Sequence, residues 1–182
     1  MGIEQIIQLL KSGKIGVLPT DTIYGIVGSA LKPEVVEEIY LLRKRSTDKP
    51  MIVLISRIAD LEKFGIKITT KQKDFLKKTW PNPISIILPV FNDKFKYLHR
   101  GKNSLAFRIP KKEKILKILQ ETGPLVAPSA NYEGEKPAEN IEKAKQYFGE
   151  SISFYIDEGK VVSKPSTIIE LNPEGETVVL RV

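Results

Sequence analysis

The sequence predicts an α/β fold with a mixed sheet, and three observations carry that expectation. Apolar residues recur at helical spacing in segments that alternate with short apolar runs of strand length. Glycine or proline punctuates most of the boundaries between them. Several of the strands lie only a short turn apart, so antiparallel pairs must mix with parallel ones. With 182 residues and no repeat, low-complexity tract or linker-like stretch, residues 1–182 read as a single domain.

Element by element, Ile3, Ile6, Ile7 and Leu10 repeat at helical spacing, and Gly13 stands where a C-terminal cap glycine belongs. Ile15 to Leu18 is a short strand stopped by Pro19, and GIVGSA (25–30) reads as a tightly packed strand. Pro33 opens a second helix at its first turn, with Val36, Ile39, Tyr40 and Arg43 along it. MIVLIS (51–56) is a buried-type strand, and Ala59–Phe64 and Thr69–Thr79 are two helices. WPNP (80–83) is a turn, because two prolines two apart permit nothing else. Strands follow at Ser85–Pro89 and Ser104–Ile109. The basic segment Phe91–Asn103 between them is the longest irregular piece and is expected to be a mobile flap. A helix over Lys111–Thr122 ends at Gly123, and PLVAP (124–128) is a strand. Ala138–Phe148 is the last helix, before strands near Ser153–Ile156, Thr167–Leu171 and Thr177–Arg181.

Composition excludes several chemistries. The chain has no cysteine, which removes a thiol nucleophile, a Cys-ligated zinc and a disulfide framework together. His99 is its one histidine, so mechanisms built on a histidine pair are excluded too. MGIEQIIQLLKSG lacks the apolar block of a signal peptide, and no run approaches the ~18 apolar residues of a membrane span. The expectation is therefore a cytoplasmic protein without membrane attachment. Lysine and arginine number 29 against 22 acids, a net charge of +7, which favours polyanionic partners such as nucleotides or RNA as well as serving solubility.

Five polar islands sit at the C-terminal mouths of predicted strands, where open α/β sheets place ligands. They are Thr20-Asp21-Thr22, the run Arg43 to Lys49, Arg108 in AFRIP, Ser129-Ala130-Asn131, and Ser166-Thr167. Taken singly, such clusters are most often helix caps, turns or the solvated end of a helix. Arg108 differs, since alternation puts it on the face opposite Phe107, where a buried guanidinium needs an anion from the protein or a ligand. Together the islands offer hydroxyls, an amide and fixed cations, with no obvious nucleophile and one nearby acid, Asp21. That set suits holding a phosphate chain and a carboxylate rather than covalent catalysis. GxxxxGK[ST] is absent, which excludes a P-loop, and GIVGSA misses the dinucleotide fingerprint.

In order and spacing, PTDTIYG (19–25), RKRSTDKPMIVLI (43–55), WPNPISIIL (80–88), LAFRIP (105–110), PLVAPSAN (124–131), PSTIIEL (165–171) and VLR (179–181) resemble the YrdC-like family. The resemblance implies a twisted α/β sheet with a basic concave cleft. It also implies a threonylcarbamoyl-AMP synthase, a nucleotidyltransferase joining L-threonine, bicarbonate and ATP with Mg2+, and pyrophosphate as the second product. Partner proteins would then pass the threonylcarbamoyl group to an adenosine of tRNA, which the chain itself would bind weakly. Carried over by position, Thr22, Arg108, Ala127 (through its backbone) and Ser166 would contact threonine. Arg43, Arg45, Lys49, Ser104, Ser129, Asn131, Ala138 and Arg181 would contact ATP. Charge neutralisation and positioning would fall to Arg45, Lys49 and Arg108.

Departures from the family pattern are Arg43 where lysine is usual, Asn82 in place of the WPGP glycine, Pro165 where an acid often precedes Ser-Thr, and Leu54 where longer members carry histidine. The chain stops one residue after Arg181, so the additional C-terminal domain of those members is expected to be absent. Two other readings compete: a YrdC-like domain of carbamoyl-transfer chemistry, as in hydrogenase-maturation proteins, and a non-enzymatic RNA-binding module. The first normally carries an acylphosphatase-like domain not seen here, and the second lacks an aromatic RNA-recognition motif.

Overall fold

The computed structural model describes residues 1–182. Its helices are α1 (Ile3–Lys11), α2 (Pro33–Leu42), α3 (Thr70–Thr79), α4 (Lys96–His99), α5 (Glu113–Thr122) and α6 (Ile141–Phe148). The strands are β1 (Gly16–Pro19), β2 (Tyr24–Ser29), β3 (Val53–Leu54), β4 (Ile84–Pro89), β5 (Ser104–Arg108), β6 (Leu125–Val126), β7 (Phe154–Tyr155), β8 (Thr167–Leu171) and β9 (Thr177–Arg181). All nine join one sheet in the order β7-β1-β2-β6-β3-β5-β4-β8-β9. Three parallel pairs (β1 with β7, β3 with β5, β4 with β8) mix with five antiparallel ones. The mixed sheet expected from the short connections is therefore present.

Strand alternation divides the core between the two faces. Leu18, Val27 and Leu54 point to one face, where Ile6, Ile7 and Leu10 of α1 meet Ile115, Ile118 and Leu119 of α5. Val17, Ile26 and Val53 point to the other, beneath Val36 and Ile39 of α2, Leu76 of α3, and Ala144 and Phe148 of α6. Close approach fixes two glycines. A Cβ on Gly16 would lie 2.0 Å from the Phe154 ring, and one on Gly28 would lie 2.5 Å from Val35. No helix is long and apolar enough to cross a membrane.

Three expectations are corrected. MIVLIS and PLVAP are regular strand only at Val53–Leu54 and Leu125–Val126, and their flanking residues Met51, Ile52, Ala127 and Pro128 line a cleft. The last helix starts at Ile141 rather than Ala138, since the Asn140 side chain accepts from Lys143 N–H (2.9 Å) and caps it. Phe91–Asn103 is not a flap. A 3-10 turn (Asp93–Phe95) and α4 bury Phe95, Leu98 and His99 in it, so its apolar residues anchor the basic surface. The longest irregular stretch is 127–140 instead, interrupted only by an isolated bridge at Ser129, and a second runs over Asp157–Ser166. The second is tied down by the Tyr24 hydroxyl donating to the Gly159 carbonyl (2.8 Å) and by the Lys112–Glu158 ion pair (2.6 Å).

Candidate functional site

The cleft is built from the ends of elements distant in sequence. The β1–β2 turn supplies Thr20 and Thr22, the segment after α2 supplies Arg43 and Arg45, and the end of β5 supplies Arg108. Ala127–Ser129 follows β6, Pro165 and Ser166 precede β8, and Arg181 ends β9. Four arginines line the cleft, and none of its seventeen lining residues is acidic. Such a lining favours anions.

Arg108 is 3% exposed. Its Nη2 lies 3.1 Å from Asp21 Oδ1, with both side chains almost wholly buried. Nevertheless Arg108 donates no hydrogen bond of acceptable geometry to the protein, and its buried Nε has no partner. Burial pulls its pKa down, Asp21 pushes it up and Arg181 lowers it again. Beside it, Thr20 donates its hydroxyl proton to the Ile23 carbonyl (2.8 Å), so in the 3.1 Å contact between the two hydroxyls Thr22 is the donor. The lone pairs of Thr22 thus remain available to a ligand N–H.

Arg43 is as buried as Arg108, but its donors are engaged. Nε reaches the carbonyls of Ser129 (2.9 Å) and Asn131 (3.1 Å), and Nη2 reaches Ser129 Oγ and Asn131 Oδ1, both at 3.2 Å. Nη1 alone is left without a partner. Burial, with Arg45 nearby, lowers its pKa to about 10. Arg45 donates to the carbonyls of Lys49 (3.1 Å) and Pro50 (3.3 Å), which curls the 45–50 segment round its own guanidinium. Arg181 grips the Ser166 carbonyl through Nε (3.1 Å) and Nη2 (2.7 Å), and Ser166 Oγ rests on the fully buried Ser85 hydroxyl at 2.8 Å.

Of the twelve residues expected to bind substrates, eight line the cleft: Thr22, Arg43, Arg45, Arg108, Ala127, Ser129, Ser166 and Arg181. The N–H of Ala127 is taken by the Ile52 carbonyl (3.0 Å), so a ligand can use only its carbonyl. Four do not line it. The Asn131 amide donates to the carbonyls of Tyr132 (2.7 Å) and Glu135 (2.8 Å) and accepts from Arg43, so it braces the cleft from behind. Ala138 is buried with its N–H on the Ala130 carbonyl (3.0 Å). Ser104 begins β5 opposite Pro89. Lys49 has an exposed side chain that pairs with Glu133 at 2.7 Å. Hydrogen bonds from Lys49 and the Ser46 N–H hold the Glu133 carboxyl below its ordinary pKa.

The departures are accommodated locally. Asn82 closes its turn by donating to the Thr79 carbonyl (2.7 Å), Leu54 is buried in β3, and Pro165 lines the cleft. What the motif pattern left out is the charge partner of Arg108. Asp21 was legible only as a nearby acid, because nothing in linear spacing links it to a residue 87 positions on.

A family model spanning Sua5, YciO and YrdC, described as telomere recombination, matches residues 8–182. The chain belongs to the Sua5/YciO/YrdC family. Threonylcarbamoyl-AMP synthase of Pyrococcus abyssi is 31% identical over 175 residues, covering 94% of this chain and 51% of that protein. The synthase of Bacillus subtilis is 30% identical, covering 92% and 49%. In the crystal structure of P. abyssi Sua5 complexed with L-threonine, the family domain superposes with a TM-score of 0.87 at 29% identity, over 98% of this chain and 53% of that one. The chain thus spans about half the length of these relatives.

The residues present do not make a magnesium cage. No group of three or more Asp, Glu or His side chains is positioned to hold a metal, and no carboxylate lines the cleft. A protein-held Mg2+ site normally uses one or two carboxylates together with phosphates.

Proposed function

We propose that this chain is a threonylcarbamoyl-AMP synthase, a cytoplasmic nucleotidyltransferase. L-threonine and bicarbonate condense to N-carboxy-threonine with loss of water. A carbamate oxygen then attacks the α-phosphorus of ATP, the bond to the β-phosphate bridge breaks, and pyrophosphate leaves. The observation that carries this reading is Arg108: a buried guanidinium with no protein hydrogen bond, set beside the free lone pairs of Thr22. An amino acid supplies the matching carboxylate and amine, and a carboxylate can engage the guanidinium fork bidentately.

Arg45 and Arg181 then face the phosphates and offset their charge, while the absence of a nucleophile suits a reaction catalysed by alignment and electrostatics. Magnesium belongs to this reading as an ion carried in on ATP phosphates. Transfer of the product to tRNA falls to partner proteins, and tRNA binding by this chain is expected to be weak and steeply lost with salt.

The test is incubation with ATP, L-threonine and bicarbonate, with mass detection of the adenylate and of pyrophosphate. Pyrophosphate release should need threonine and bicarbonate together. Serine should react more slowly, but only partly so, since one methyl in a fitted pocket is worth about 1–3 kcal/mol. Equal release without threonine would return the site to carbamoyl-transfer chemistry. Tight, sequence-selective RNA binding with no turnover would make it an RNA module.

A further inference from the structure

The geometry points to Asp21 as a positioning residue that aims Arg108 at the carboxylate of the substrate, an inference that rests on the threonine reading above. Asp21 lies in the β1–β2 turn and is absent from the cleft lining, so it acts through another residue. Its two oxygens have separate tasks. Oδ2 accepts from the backbone N–H of Lys111 at 3.0 Å, just beyond the end of β5. Oδ1 has no conventional hydrogen-bond partner and faces Arg108 Nη2 at 3.1 Å. The carboxylate is therefore anchored to the same segment that carries the arginine, and its free oxygen sets the direction of the guanidinium.

Burial makes this arrangement costly unless it serves a purpose. Two charges with side chains only 3–4% exposed lose most of their hydration, and attraction alone repays that loss only when the remaining donors and acceptors are satisfied. Here they are not: Arg108 Nε and Asp21 Oδ1 are both buried without a hydrogen-bond partner. A purely structural pair would close those bonds, as Arg43 does with the 129–131 segment. The pair instead holds a cation in register with donors left over, which preorganises it for an incoming anion.

The experiment uses the full chain and compares L-threonine with L-threoninamide, which lacks the negative charge that Arg108 is proposed to read, by calorimetric titration, with ATP as the control ligand. The wild type should prefer threonine by on the order of 100-fold. In Asp21→Ala nothing orients the guanidinium. In Asp21→Asn the amide oxygen takes the Lys111 N–H and leaves its NH2 facing Nη2, donor against donor. Both variants should reduce the preference at least tenfold while ATP affinity holds within about twofold. Arg108→Ala should abolish the preference altogether. If Arg108→Ala keeps it, the threonine map itself falls. If Arg108→Ala loses it but both Asp21 variants keep it, or if ATP and threonine affinities fall together in Asp21→Asn, the positioning role falls and the map stands. Should the alanine variant fail to fold, Asp21→Asn decides alone.

Discussion

Arg43 and Arg108 line one cleft at 2% and 3% exposure, yet Arg43 makes four hydrogen bonds to protein while Arg108 makes none. The region round Arg43 joins the end of α2 to the segment after β6 through the carbonyls of Ser129 and Asn131 and their side-chain oxygens. The region round Arg108 holds a charge against Asp21 in the cleft wall and leaves Nε without a partner. Equal burial therefore carries opposite meanings, and hydrogen-bond accounting separates the residue that builds the wall from the one that waits for a ligand.

Stability should show the contrast most strongly. Arg43→Ala strands the Asn131 carbonyl and the Asn131 side-chain oxygen, and breaking a buried charged network costs ~3–5 kcal/mol. For a chain of this size that lowers Tm by roughly 10 °C in a calorimetric scan. Arg108→Ala should cost clearly less, because water from the cleft can enter and solvate Asp21. Equal losses in the two variants would erase the distinction.

Ligand binding should invert the order. Arg108→Ala is expected to weaken L-threonine by on the order of 100-fold, the upper end of what a charge-assisted pair contributes, with ATP affinity nearly unchanged. Arg45→Ala should do the reverse. Both variants should lose synthesis, so separate titrations of the two ligands are the measurement that distinguishes them. Normal threonine binding by a folded Arg108→Ala protein would make Arg108 a second wall residue.

A smaller effect sharpens the comparison on the acid side. Asp60 is as buried as Asp21's side chain, but its Oδ2 accepts from Ser56 N–H (3.0 Å), Ser56 Oγ (2.7 Å) and Arg57 N–H (3.2 Å), with Lys63 at 2.8 Å from Oδ1. Burial pushes its pKa up, but the bonds from Lys63 and Ser56 outweigh that and leave it below the ordinary value. A depressed carboxylate pKa contributes stability that is present above the unfolded-state value near 3.9 and lost as pH falls through the folded value. Asp60→Asn should cost about 1 kcal/mol at neutral pH and flatten the acid limb of a stability-against-pH curve. An unchanged limb would show that Asp60 is not its source.

Helix and strand identity were legible because they depend on local periodicity. The 3-to-4 spacing of Ile3, Ile6, Ile7 and Leu10, Pro33 at a helix start and Gly123 at a helix end act over a few residues. The polar islands were legible for a similar reason, since each lies at or near the end of a strand or helix. Phe91–Asn103 misled because its lysines mask three anchors, Phe95, Leu98 and His99, whose burial depends on what packs over them. Linear order also left Lys49, Ser104, Asn131 and Ala138 looking equivalent to the eight residues that line the cleft.

By itself, then, the sequence determined the α/β class, the mixed sheet, the family and the residue types gathered at the cleft. Tertiary structure alone decided which side chains are engaged and which are free. Arg43 is consumed by residues 86 and 88 positions away, and Arg108 is held by an acid in the first turn of the sheet. The physical reason is that hydrogen-bond saturation and burial are properties of neighbours in space, and a sheet nine strands wide brings its neighbours together without regard to their distance along the chain.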